Sequence, residues 1–196
     1  MQDDSDITLM LELQNGSRTA FERLIHRHQE AVLNLAFRIL GDRDEAEDLT
    51  QDIFFKVYRA RESYRPEARF TTWLYRIASN ACLNAVRARK NRRSRFLEEL
   101  GADNGREGAE PMSDPKAAMP PTTLIQNETA WVLREIVEGL PDAQRLAIWL
   151  NKYQGLSYDE VAESMNLSVM AVKSLLFRAR ECIKDRLIPY LREEVR

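Results

Sequence analysis

Trp73, Arg76, Asn80, Asn84 and Arg87 recur at three-or-four spacing, which places them along one helix as it runs into a block of cations. An indole offers a stacking surface, amides read base edges and guanidinium groups neutralise phosphates, so the set suits single-stranded DNA. Trp73 also adjoins the apolar stripe of Phe70, Leu74 and Ile77, so a core role competes with the DNA role. The block from Arg87 to Arg95 carries Arg87, Arg89, Lys90, Arg92, Arg93 and Arg95 with no acid. Glu98 to Asp114 then carries Glu98, Glu99, Asp103, Glu107, Glu110 and Asp114 against Arg106 alone. The net charge of −2 and pI near 5.8 would by themselves argue against a nucleic-acid partner, but they average over opposite blocks.

A second group lies near the C-terminus. Ser157-Tyr158-Asp159-Glu160 is a capping box, in which the hydroxyl and the carboxylate each satisfy a free N–H at a helix start. Met165-Asn166-Leu167 makes a tight turn with Asn166 suited to the left-handed conformation, and Ser168 is placed to cap a helix from Val169 to about Arg186. Val172, Leu176, Ala179 and Ile183 form its inner stripe, leaving Lys173, Ser174, Phe177, Arg178 and Arg180 on outward or flanking positions. In a helix-turn-helix the second helix enters the major groove, where such residues reach guanine edges, phosphates and thymine methyls. An ordinary helical hairpin with a solvated basic face is the alternative. The combination of capping box, small Ala162, Asn turn and second cap favours DNA binding, and no one of them suffices.

Both groups need a helical scaffold, and the pattern supplies one. Strict alternation is missing while apolar residues at three-and-four spacing recur, so the expected fold is all-α. Phe21, Leu24, Ile25, His28, Val32, Leu35, Ala36 and Ile39 trace a stripe that stops at Gly41. A second helix starts near Asp44, with acids in its first turns, and runs to about Ala60 with Ala46, Leu49, Ile53 and Val57 buried. Opposite that stripe stand Asp48, Gln51, Asp52 and Phe55, a polar and aromatic surface suited to a partner helix, although spacing alone favours a solvated face. A third helix begins at Thr71-Thr72, either hydroxyl able to cap it, and runs through Trp73, Leu74, Ile77, Ala78 and Ala81. These helices predict one domain over 8–94. Gly101, Gly105, Gly108, Pro111, Pro115, Pro120 and Pro121 mark a flexible acidic linker over 95–123. Helical patterning resumes at Leu124 and continues to Leu140, Pro141 fits the first turn of the next helix, and a second domain spans 124–190.

Other chemistries find no support in the pattern. Cys82 and Cys182 lie far apart inside helical stretches and read as buried thiols. His26 and His28 point to different sides of a helix, so no metal is expected. A phosphate-cradling loop and a His-paired nucleophile are both missing, so the chain is expected to be no enzyme, to use no cofactor and to take no small-molecule substrate. No apolar run approaches the roughly 18 residues of a membrane span, and the acidic start is unlike a secretory signal, which points to the cytoplasm.

Three segments resemble the extracytoplasmic-function (ECF) sigma factors of the sigma-70 family: Asp48-Leu49-Thr50-Gln51-Asp52-Ile53-Phe54; Phe70-Thr71-Thr72-Trp73-Leu74-Tyr75-Arg76-Ile77-Ala78-Ser79-Asn80; and Val172-Lys173-Ser174 with Arg178-Ala179-Arg180. The resemblance covers about 10–190 without the linker. It implies two small helical domains: a region-2 bundle that binds the clamp of core RNA polymerase and opens the −10 promoter element, and a region-4 helix-turn-helix that binds the −35 element. By resemblance, Asp48, Gln51, Asp52 and Phe55 would meet the polymerase. Asn80 and the loop Tyr64-Arg65-Pro66-Glu67-Ala68-Arg69 would surround a base flipped from the melted strand, with Trp73 near the duplex edge. Ser168, Lys173, Ser174, Phe177 and Arg178 would face the −35 element. Met170 and Ala171 stand where a Gly and a Thr are usual, and Leu175 where an Arg is usual. The family also implies an anti-sigma factor, often membrane-bound, releasing the chain on a stress signal. Two rivals predict otherwise: a dimeric helix-turn-helix regulator acting without polymerase, and a protein-binding helical adaptor.

Overall fold

The computed structural model describes residues 2–67, 69–99 and 124–194. Among them the regular structure is entirely helical, in the order α1 (Gln2–Gln14), α2 (Arg18–Leu40), α3 (Arg43–Arg59), α4 (Phe70–Glu99), α5 (Leu124–Glu138), α6 (Asp142–Ile148), α7 (Tyr158–Met165) and α8 (Val169–Glu194). None of these helices is long and apolar enough to cross a membrane.

Local chemistry sets most of the boundaries. Ser17 accepts from Ala20 N to start α2, and Gly41, at φ 73°, closes it with its N–H on the Phe37 carbonyl. Asp42 caps α3 through Glu45 N at 2.9 Å. The bundle α1 to α4 buries Leu24, Val32, Leu35 and Ala36 from α2 against Ala46, Ile53 and Val57 from α3 and Leu74 and Ala78 from α4. The Cys82 thiol is sealed in the same core, and burial pushes its pKa up to about 12. Cys182 is half-buried rather than fully buried.

Four elements differ from the sequence pattern. The acidic N-terminus forms α1, which buries Leu9, Met10 and Leu13 and draws Asp6 into the interior. There Asp6 meets His28 Nε2 at 2.8 Å and Arg27 Nη1 at 2.7 Å, so the buried carboxylate is fully engaged. Helix α4 begins at Phe70, one residue ahead of the expected caps, and the Thr72 hydroxyl has no hydrogen-bond partner. It continues to Glu99, so the basic block and the first residues assigned to the linker are helical. The remainder of that acidic segment, 100–123, lies outside the described residues, as does Ala68. Pro141 stands at the N-cap of α6 rather than inside its first turn, and α8 reaches Glu194 with Pro189 within it.

The two halves of the chain pack on each other, chiefly α4 on α7. A π-helical turn, Trp149–Tyr153, links α6 to the loop before α7 and carries Trp149 to the seam. Its ring meets Tyr75 edge-on at 5.9 Å, and the Tyr75 hydroxyl donates to Gln154 Oε1. Ser164 Oγ donates to the Thr72 carbonyl at 3.3 Å, Arg69 pairs with Glu160 at 3.4 Å, and Arg145 Nη2 donates to the Ile39 carbonyl at 2.9 Å.

Candidate functional site

Three surfaces carry the residues singled out by sequence. On α3, the buried set Ala46, Thr50, Ile53, Phe54 and Val57 forces Asp48, Gln51, Asp52 and Phe55 outward, and all four are exposed. Phe55 keeps 53% of its surface in solvent, with the Arg59 guanidinium 4.2 Å from its ring centre. Beside this face runs an open groove of about 690 Å³ whose lining includes Leu13, Phe21, Ile25, Phe54, Phe55 and Tyr58. Tyr58, itself 41% exposed, extends the aromatic surface and was missed by sequence reasoning. Its place three residues after Phe55 was the available signal.

On the second surface, Arg76, Asn80, Asn84 and Arg87 are exposed along α4 and continue into the exposed cations Arg89, Lys90, Arg92, Arg93 and Arg95. Trp73 does not join them. At 5% exposure it lies in an aromatic cluster, 5.3 Å from Tyr64 and 6.1 Å from Phe70, so in this arrangement it serves the core and not a stacking surface. Tyr64, at 1%, is likewise buried, edge-on to Phe70 at 6.1 Å. The physical reason is shared: large flat rings at a helix start and its preceding loop fill the corner between α1, α2 and α4. Arg65, Pro66, Glu67 and Arg69 remain exposed above that floor.

The third surface is the helix-turn-helix. Both halves of the capping box are present, with Glu160 N on Ser157 Oγ at 3.2 Å and Ser157 N on Glu160 Oε2 at 2.8 Å. Although burial acts against the charged form, these bonds and Arg69 hold the Glu160 carboxyl below its usual range. Asn166 is left-handed at φ 53°, and Ser168 Oγ accepts from Ala171 N at 3.2 Å to start α8. Val172, Leu176 and Ala179 are buried and Ile183 is half-buried, so Ser168, Lys173, Ser174, Phe177 and Arg178 all stand exposed, Phe177 by 65%. Arg180 is exposed as well and donates to the Tyr158 hydroxyl at 3.0 Å, which lowers the Tyr158 pKa. At the departures from the family pattern, Met170 is 76% exposed, whereas Leu175 packs against the core.

Comparison with known proteins follows the same division of the chain. Residues 24–92 match the family model for sigma-70 region 2, and residues 131–183 match that for sigma-70 region 4. The chain is 34% identical over 192 residues to the RNA polymerase sigma-H factor of Pseudomonas aeruginosa, covering 97% of each. It is also 34% identical over 189 residues to the ECF RNA polymerase sigma-E factor of Escherichia coli, covering 96% of this chain and 97% of that one. Its fold is similar to that of CnrH, solved in complex with the cytosolic domain of CnrY, at a TM-score of 0.65 and 24% identity over 95% of this chain and 99% of the other. The sigma factor RpoE from Bartonella quintana, solved with the anti-sigma factor NepR, is similar at a TM-score of 0.61 and 21% identity over 85% and 96%. The chain belongs to the sigma-70 family as an RNA polymerase sigma factor of the ECF type.

Proposed function

We propose that the exposed face of α3 and its adjoining groove seat a helix of the core polymerase clamp, while two separate surfaces read promoter DNA. The observation that carries this is the joint exposure of Asp48, Gln51, Asp52 and Phe55 beside an apolar groove inside the region-2 match. Carboxylates and an amide flanking exposed rings suit an amphipathic helix with basic side chains at its rim. Arg76, Asn80, Asn84 and Arg87, with the loop above Tyr64, hold the melted −10 strand. Lys173, Ser174, Phe177 and Arg178 bind the −35 duplex. The chain is a non-enzyme: melting draws on binding energy to the single strand, and the polymerase does the chemistry. It works in the cytoplasm and is held inactive by an anti-sigma factor, a reading supported by the partners of CnrH and of the Bartonella protein.

The seam between the halves bears on the order of events. The −35 and −10 elements lie about 25 base pairs apart, roughly 85 Å of duplex at 3.4 Å per pair. A compact chain of 196 residues has a radius of gyration of only about 16 Å. Region 2 and region 4 must therefore part at α4 and α7 before both elements are engaged, and seating on polymerase supplies the energy.

Competition for purified core polymerase between the wild-type chain and Asp52→Lys or Phe55→Ala tests the assignment. A loss of at least about tenfold, the effect of one central interface residue, is expected from each with the melting temperature preserved. Unchanged affinity in both variants would remove α3 from the interface.

A further inference from the structure

We infer that Gln14 is a positioning residue for promoter reading, fixing the base of the loop that surrounds the flipped −10 base. This rests on the proposed reading of the 64–69 loop. Gln14 ends α1, and its Nε2 donates to the carbonyl oxygens of Arg61 at 2.7 Å and Tyr64 at 3.1 Å. These carbonyls bracket the 3-10 turn Arg61–Ser63, from which the loop departs.

At the far end of the loop Arg69 Nη1 donates to Glu160 Oε1 at 3.4 Å, a contact with the other half of the chain, and Arg65 Nη1 shares the Tyr64 carbonyl at 3.3 Å. Arg61 Nη1 donates to the Tyr58 carbonyl, Ser63 Oγ to the Ala60 carbonyl and Arg65 Nη1 to the Glu62 carbonyl, each spanning three residues. These three local bonds shape the turn without holding its base against α1 to α4. Gln14 reaches across 47 and 50 residues to do so, and the Tyr64 ring, wedged against Phe70 and Trp73, holds the same point from inside. The loop thus leaves a base clamped at two atoms, with Arg65 and Glu67 exposed beyond it. A base pocket discriminates only as finely as its walls are held, since a shift of a few tenths of an ångström reallocates hydrogen bonds among bases.

The test uses holoenzyme reconstituted from core polymerase and the full chain, with run-off initiation measured on four templates that differ only at the flipped position. Gln14→Met keeps the side-chain length without the donor, Gln14→Asn is one methylene shorter, and Gln14→Glu sets a carboxylate against two carbonyl oxygens. Loss of a neutral hydrogen bond corresponds to about a fivefold effect, so the ratio between the preferred template and the others is expected to fall about that much in Gln14→Met. It should fall further in Gln14→Glu and less in Gln14→Asn, with core affinity kept within about twofold in all three. Arg65→Ala and Asn80→Ala run beside them. If these two leave the ratio unchanged, the reading of the loop fails. If they change it while the Gln14 variants do not, or lower all four templates in parallel, Gln14 is structural only and the inference is overturned.

Discussion

The two promoter-facing regions differ in how their residues are presented. On α8 and at the Ser168 cap before it, every residue expected at the −35 element stands exposed, whereas the two aromatic residues expected near the −10 strand, Tyr64 and Trp73, are buried. A helix lying on a core sorts its side chains by angle, so Val172, Leu176 and Ala179 going in means Lys173, Ser174 and Phe177 going out. A loop and the helix start that follows have no such rule. There an aromatic residue has the chemistry for either role, and packing decides.

Trp73→Ala is the strongest way to break the contrast. Emptying that site costs about 3–5 kcal/mol, so the melting temperature should drop by about 10 °C and initiation should fall on all promoters alike. A variant of unchanged stability that loses only −10 discrimination would return Trp73 to the DNA surface. The converse test is Lys173→Ala with Arg178→Ala. Stability should stay within about 0.5 kcal/mol, while binding to the −35 duplex by holoenzyme weakens about 10-fold to 100-fold. Loss of fold rather than of binding would contradict the exposed placement.

The smallest expected effect lies at the seam joining the regions. Glu160 is held below its ordinary pKa in the folded chain, so its contribution is present above the unfolded value, near 4.3, and lost as pH falls through the folded one. Glu160→Gln should melt a few degrees below the wild type at neutral pH, and the two melting curves should converge in acid. A difference that persists unchanged below the carboxylate range would show that the charge on Glu160 does not support the cap.

What was legible in the sequence was what local chemistry determines. The capping box at Ser157 and Glu160, the left-handed Asn166, the Gly41 stop and the inner stripe of α8 each depend on bonds within a few residues, and each stands as expected. What was hidden depends on distant partners. Helix α1 escaped because Asp3, Asp4 and Asp6 dilute its apolar pattern, and only the pairing of Asp6 with Arg27 and His28 makes its burial tolerable. Gln14 was invisible for the same reason, being one polar residue whose partners are backbone carbonyls far along the chain. The seam of Tyr75 with Trp149 and Gln154 could not be read from two domains considered separately. The helical start of the expected linker was missed because charge segregation, rather than loss of helix, marks Arg95 to Glu99.

Run-off transcription by core RNA polymerase stripped of its own sigma, on genomic fragments of the source organism with and without this chain, tests the central claim most directly. Transcripts from defined start sites are expected only when the chain is present, reduced about tenfold or more with Phe55→Ala and with Lys173→Ala and Arg178→Ala together. No initiation, with tight duplex binding by the chain alone, would contradict that claim.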